Sequence, residues 1–275
     1  MPRFKPILSG KAWGVSIFRM RHWQGFCFFA LISFGFICVH TQLPAEQNDP
    51  VSDEDKAVKA ENEKWIESAR EEVRKKPDNP GAIITLGLAL LQESRYEEAK
   101  PFFIHLTELK PDNAEALNWL AVCLIHEKKW KEAESKLKKA IELAPMDPVP
   151  WRHLGQIASE QDKDEEAIIS LNKSVELSQK EIEEAEKQVL ETPKSVQAWD
   201  TLSFAHSHLS IAWSRISMAY SNIHMRLMGK SNQAQEAYEK SRDASQKSMA
   251  ELTRSQEAFK KSKTLRSAQR KAEAL

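Results

Sequence analysis

Histidine is the first residue type to test for chemistry, because it serves as general base, metal ligand or proton switch near neutral pH. The chain has eight: His22, His40, His105, His126, His153, His206, His208 and His224. No two stand in the His-Glu-x-x-His spacing that puts two imidazoles over a zinc ion. His206 and His208 differ by two positions, which on a helix points them apart. His206 falls on an apolar seam and reads as a core histidine with satisfied nitrogens. The three cysteines, Cys27, Cys38 and Cys123, have neither zinc spacing nor a disulfide framework. Cys123 reads as a small buried hydrophobe. "MGKS", Met228 to Ser231, ends like a phosphate-binding loop. Such a loop needs a glycine five residues before its Gly-Lys pair, where His224 stands, and no strand precedes it. No serine or cysteine sits in a nucleophile elbow, and the many glutamates alternate with lysines as on solvated helix faces. The sequence therefore predicts no catalytic residue, no metal site, no cofactor and no enzyme.

The elements that would position side chains are helices. Glycine is scarce, at 8 of 275 residues, and no alternating β-branched run is bounded by turn signals. Forty basic residues balance forty acidic ones, so no net charge draws nucleic acid. The charge is unevenly placed. Residues 1–24 form a basic leader, whereas residues 46–72 are acid-rich. Between them "GFCFFALISFGFICV", Gly25 to Val39, is an unbroken apolar run. With the residues up to Leu43 it nears the roughly 20 needed to span a bilayer, and it also has the length of a signal-peptide core. Residues 25–43 are therefore expected to act as a signal-anchor contacting the lipid bilayer, or as a cleaved signal. The basic leader should stay cytoplasmic, placing the rest on the non-cytoplasmic side, or secreted after cleavage. Residues 44–56 read as a flexible linker and 57–76 as a lone helix.

From residue 77 a ruler of 34 governs the chain. Pro77, Pro111 and Pro145 are 34 apart, as are Leu86, Leu120 and Leu154, and Gly87, Ala121 and Gly155. Ala99, Ala133 and Ala167 keep the same step, each preceded by Glu. Phe103, Leu137 and Leu171 share another column, and Ile83, Leu117 and Trp151 another. Each unit reads as two helices. Asn79 or Asn113 caps the first, and a polar bend leads to the second. One such pair cannot bury its apolar face alone, so units must stack.

This pattern resembles the tetratricopeptide repeat (TPR), with Tyr96 and Trp130 in the bend column. Units span 80–113, 114–147 and 148–181. A fourth first-helix begins near Pro193, which arrives 48 rather than 34 residues after Pro145. The excess of 14 is expected to lengthen both helices of that hairpin by about two turns. The implied fold is an all-α solenoid of about three full repeats plus a fourth first-helix, followed by a long helical arm or hairpin. The resemblance implies a groove lined by first helices that takes a peptide or helix. Its groove offsets fall on Ile84, Leu88 and Leu91, then Asn118, Val122, Ile125 and His126, then Arg152, Gln156 and Ser159. Ile84 and Leu88 replace the Lys and Asn with which a subset of the family clamps a terminal carboxylate, so that clamp is not expected. Alternatively, Ile84, Leu88 and Leu91 receive the helix at 57–76.

Residues 182–228 hold an extended hairpin and a long helix whose apolar residues step by three and four: Trp199, Leu202, His206, Leu209, Trp213, Ile216, Tyr220, Ile223 and Leu227. Residues 229–275 form a polar helix. It either folds back on the first over small Ala and Ser side chains, or is ordered by a partner. The functional expectation is a membrane-tethered scaffold binding another protein, as in assembly of an envelope complex. The alternative is an oligomeric structural protein, a homo-oligomer paired through the 199–227 seam. If the seam folds onto its own chain, a monomer is expected instead.

Overall fold

A computed structural model describes residues 53–228 and 231–273 of the chain. The predicted leader, the membrane segment 25–43 and most of the linker lie outside the described residues. The chain divides into two compact units, residues 1–68 and 69–275. Helix α1, Asp53–Lys75, runs across that division. It starts four residues inside the predicted linker, so those residues are helical rather than flexible. Within the second unit, the end of α1 pairs Arg70 with Glu98.

Eight further helices follow: α2 (Pro80–Gln92), α3 (Tyr96–Leu109), α4 (Ala114–His126), α5 (Trp130–Leu143), α6 (Pro148–Glu160), α7 (Asp164–Glu191), α8 (Val196–Arg226) and α9 (Ser231–Glu273). No strand occurs among the described residues. The proline ruler sets each first helix. Its N-cap side chain accepts a backbone N–H in the first turn: Asn79 from Gly81, Asn113 from Ala116 and Asp147 from Val149, at 2.8–3.0 Å. Ser195 does the same for α8, from Ala198 at 3.2 Å. Each first helix of the three units ends on a residue with positive φ, again 34 apart: Ser94, Lys128 and Asp162, at 57–59°. The next residue's N–H returns five positions, as Arg95 to Leu90, Lys129 to Leu124 and Lys163 to Ala158. None of the three is glycine, so this stop was invisible to a search for glycine.

The shared columns pack each pair. Phe103, Leu137 and Leu171 are fully buried, as are Ala99, Ala133 and Ala167. Phe103 and Leu171 lie over Gly87 and Gly155, where a Cβ would come within 2.7 and 2.6 Å of them. Helices pack in chain order, α2 on α3 through α8 on α9. First helices also touch one another, α4 on α6 and α6 on α8, while second helices have no such mutual packing. The first helices therefore form the inner layer of a curved stack.

Two expectations are corrected. The 14 extra residues all enter α7, whose 28 residues double the 14 of α3 and α5. The reason is that α8, a first helix, starts only after Pro193, so everything inserted before it prolongs the preceding second helix. Helix α8 matches α7 by running on past the usual end of a first helix to 31 residues. At that end Asn222 donates to the buried Asp164 at 3.1 Å and Arg226 pairs with it at 3.1 Å. Asp164 stands where Tyr96 and Trp130 stand in the earlier units, and the over-long helix is what meets its charge.

The second correction concerns the oligomer. The 199–227 seam is occupied within the chain, its leucines against α7 and its flank against α9, which folds back antiparallel on α8. The contact is a ladder of serines. Ser203 and Ser255, Ser210 and Ser248, and Ser217 and Ser241 each donate Oγ to the other's backbone carbonyl at 2.9–3.0 Å. Small side chains let the backbones approach, and the reciprocal bonds satisfy every hydroxyl. Beside the ladder, Lys261, Lys247 and Lys240 lie over Trp199, Trp213 and Tyr220, 4.6–6.0 Å from the ring centroids. His206 bonds to Glu251 at 2.7 Å in the same interface. On its other side α8 buries Leu202, Leu209 and Ile216 in one core with Leu171, Val175 and Ile182 of α7. The surface on which the oligomer reading rested is thus consumed internally.

Candidate groove

The inner layer is built from α2, α4 and α6, with α8 as its fourth member. Its sequence-predicted residues separate into three sets. Leu88 is exposed at 38%, and Ile84 and Leu91 are half-buried, so α2 leaves an apolar strip on this layer. Val122, Gln156 and Ser159 are half-buried, and Gln156 faces His153 at 3.4 Å. Asn118, Ile125 and Arg152 are buried. Ile125 is 5% exposed, as enclosed as Asn118 and Arg152. His126 is exposed but carries the ring of Tyr96 stacked on it, with centroids 3.3 Å apart. It therefore belongs to the edge between α3 and α4.

The buried polar members are not all satisfied. Asn118 Oδ1, Trp151 Nε1 and Arg152 Nη1 are buried without a hydrogen-bond partner, and so is Arg215 Nε on α8. An unmade hydrogen bond at such an atom costs about 1–3 kcal/mol. Burial, then the neighbouring charge of Arg215, brings the Arg152 guanidinium down to about 10, leaving it charged at neutral pH. Burial likewise lowers Arg215. Burial and then the charges of Arg152 and Arg215 hold His153 well below its ordinary range, so its imidazole is neutral. Burial also lowers His126. Cys123 is fully buried and its thiol is pushed up to about 12 by burial, which removes it as a nucleophile at neutral pH.

Sequence offsets did not reach Arg215. Carried onto the fourth first-helix with the 48-residue step, they give Asp200, Phe204 and Ser207. Asp200 instead pairs with Arg266 and accepts from Ser262, and Ser207 bonds to Ser255. The groove offsets of α8 are thus partly taken up by α9, and Arg215 comes from one of the turns that a 13-residue first helix lacks. A single signal was available: Arg215 continues the i, i+4, i+7 face of α8 from Ser207 and His208.

Among the described residues no group of histidines, cysteines and carboxylates is disposed to hold a metal. None of the described helices is long and apolar enough to cross a membrane.

Comparison with known families gives two matches to tetratricopeptide repeat models, over residues 90–157 and 151–181. Residues 90–181 thus match tetratricopeptide repeat models. The TPR matches run from the last residues of α2 into the middle of α7, across elements whose 34-residue caps, stops and packing columns are described above. No curated protein matches the sequence. Among solved structures, the crystal structure of MamA is 16% identical, with 72% of this chain and 98% of that chain covered and a TM-score of 0.47. A second MamA structure, MSR-1 C2, is 24% identical over 46% of this chain and 72% of that one, with a TM-score of 0.40. YrrB, described as a TPR protein with an unusual peptide-binding site, is 16% identical over 68% and 97%, with a TM-score of 0.40. TPR units are protein-interaction modules and are typically non-catalytic.

A pH dependence follows from the depressed histidines. His153 and His126 take up a proton in the unfolded chain near pH 6.5 but resist it when folded. Above about pH 6.5 both states are neutral there and the two residues contribute no slope. As pH falls from about 6.5 toward the folded values, the unfolded state gains protons that the native state refuses, and stability drops. Unfolding free energies from urea titrations are expected to decline between pH 7 and 5.5, by at most about 1.4 kcal/mol per pH unit for each histidine. In His153→Gln the decline should be shallower, and an equal slope in the two proteins would contradict the assignment.

Proposed function

We propose that this protein is a membrane-tethered scaffold that holds another protein along the inner layer of its TPR stack. The carrying observation is the composition of that layer: an apolar strip at Ile84, Leu88 and Leu91 on α2, followed by half-buried Val122, Gln156 and Ser159 on α4 and α6. Apolar surface removed from water there stabilises a complex by roughly 25 cal/mol per Å², before the ordering of the partner is subtracted. The polar far end sets the register of the bound segment. The tether is the apolar run Gly25–Val39 with its basic leader, which sets the repeats on the non-cytoplasmic side and suits a role in assembling an envelope complex. The histidine pair and the "MGKS" motif add no chemistry to this reading.

A photoreactive amino acid placed at Leu88 or Ser159 in the full chain, crosslinked in the native membrane, is expected to capture one defined protein. The same probe at Lys138, on the outer helix α5, should capture it at least about tenfold less, and Leu88→Glu should abolish capture from Ser159. Equal labelling from Lys138 and Ser159 would remove the inner layer from the account.

A further inference from the structure

Helix α9 outruns the helix it packs on. The serine rungs hold one register, with Ser203 facing Ser255, Ser210 facing Ser248 and Ser217 facing Ser241. In that register Ser262 stands level with Val196, where α8 begins, and α9 continues over residues 263–273, about 16 Å of helix. Asp200 reaches along α8 to hold Ser262 and Arg266. Beyond them Ser267 to Lys271 are all exposed. The overhang is also where the charge balance of the helix ends. In the first half of α9 Lys240 pairs with Glu236 at 2.6 Å and Lys247 with Asp243 at 2.7 Å, each across one turn. From Ala258 to Ala272 there is no acidic residue to set against Lys260, Lys261, Lys263, Arg266, Arg270 and Lys271. Lys261 lies over Trp199, and Arg266 is held by Asp200. Lys260, Lys263, Arg270 and Lys271 are exposed and have no ion pair among the described residues.

Cations at a helix C-terminus answer the macrodipole, but that attraction falls off within the last turn. It accounts for Arg270 and Lys271 and leaves Lys260 and Lys263 unexplained. Within the helix the pattern works against order. Lys260 and Lys263, Lys263 and Arg266, and Arg266 and Arg270 are like charges three or four residues apart, and the exposed residues Ser267 to Lys271 bury little that offsets the repulsion. The four unpaired cations project from a helix end that stands clear of α8, which suits an extended anionic surface better than a single carboxylate. Three of them are lysines, hydrated point charges without the fork that grips one carboxylate bidentately, and a layer of phosphate headgroups attracts such charges through the field of the whole surface. We propose that the overhanging end of α9 is an electrostatic contact for an anionic phospholipid surface, made by Lys260, Lys263, Arg270 and Lys271. A chain tethered to a bilayer meets that surface at a high effective concentration, so a few cations are enough to hold the helix end there. Only this gain in local concentration rests on the tether; the charge pattern stands without it. The contact sets the direction of the long hairpin relative to the bilayer, which a tether at one end leaves free.

The test mixes the full chain with preformed vesicles of phosphatidylcholine, alone or with about 30% phosphatidylglycerol. A photoreactive amino acid replaces Gln269 on the overhang or Gln246, which is exposed on the paired half of the same helix. Lipid adducts are measured by mass spectrometry after irradiation. Position 269 is expected to give at least about tenfold more adduct on anionic vesicles than on neutral ones, and at least about tenfold more than position 246 on either. About 0.5 M sodium chloride should abolish the excess. Lys260→Gln, Lys263→Gln, Arg270→Gln and Lys271→Gln together should abolish it as well, whereas Lys260→Arg, Lys263→Arg and Lys271→Arg together, which keep the charge, should retain it. Equal adduct on the two kinds of vesicle, or an excess that survives the quadruple glutamine replacement, overturns the proposal. Full displacement of the lipid by polyglutamate or by double-stranded DNA at matched charge overturns it too, and assigns the helix end to an acidic chain or to nucleic acid. Flotation of the full chain with neutral vesicles reads the tether separately. Flotation without the excess at 269 sinks the contact alone, and the excess without flotation on neutral vesicles sinks the tether and leaves the contact.

Discussion

Replacing Gly155 by Val is expected to lower the melting temperature of the chain by roughly 6–12 °C. A Cβ at this position would lie 2.6 Å from Leu171 Cγ and 3.1 Å from the backbone carbonyl of Ala167. Leu171 is itself fully buried and cannot swing aside, and the carbonyl belongs to α7, so the helices must separate. Overpacking of this kind costs about 1–3 kcal/mol, and a β-branched side chain at the crossing sits at the upper end. Helix propensity works the other way, since Val is a better helix former than Gly by a few tenths of a kcal/mol, but it is the smaller effect. For a unit of this size about 3 kcal/mol corresponds to the stated shift. Gly155→Ala is the informative control. The middle unit already pairs Ala121 with Leu137 in the same two columns, so α6 and α7 have an available wider separation and the loss should be about 1 kcal/mol. Thermal melts followed at 222 nm measure both. A Val variant that melts with the parent would mean that the small column is not what sets the distance within a pair.

Putting Leu at Ser210 and Ser217 together is expected to detach α9 from α8. The two serines and their partners Ser248 and Ser241 form two rungs of the ladder, each with a reciprocal pair of Oγ-to-carbonyl bonds. Leucine at both positions removes the donors and forces apart helices whose closeness depends on small side chains. Each substitution costs about 1–3 kcal/mol on its own, and adjacent rungs on one helix do not relax independently. Helix α9 is otherwise held by one further serine rung, the His206–Glu251 bond, the contacts of Asp200 with Arg266 and Ser262, and the lysine–aromatic contacts. Its 43 residues are mostly polar and its buried positions are mainly Ala and Ser. A helix so poor in apolar surface loses most of its order once the packing goes. The expected result is a fall in helical ellipticity and rapid proteolysis within 231–273, with the TPR units staying folded. Helicity and protease resistance equal to those of the parent would show that the lysine–aromatic contacts beside the ladder suffice.

The amino-acid sequence alone determined the repeat. Each unit contacts chiefly its neighbours, so the same caps and columns must recur at one period, and that recurrence is readable without coordinates. Asn79, Asn113, Gly87, Gly155 and the fully buried Phe103, Leu137 and Leu171 all followed from it. The turn residues Ser94, Lys128 and Asp162 did not, because a positive φ in a residue other than glycine leaves no mark in composition. Only the tertiary structure decided where the 14 extra residues went, and that an elongated α8 would meet Asp164 with Asn222 and Arg226. It also decided that the seam closes on its own chain. Serine is ordinarily a residue of turns and solvated faces, and it becomes interfacial here only because a second helix arrives antiparallel with serines in register about position 229. The groove shows the same division. The offsets that name Ile84, Leu88 and Asn118 recur with the repeat, whereas the burial of Ile125 and the influence of the Arg215 charge on Arg152 depend on how α4, α6 and α8 lean together. Periodicity reports contacts that recur; a contact made once, between a repeat and the hairpin that ends it, is written nowhere but in the packing.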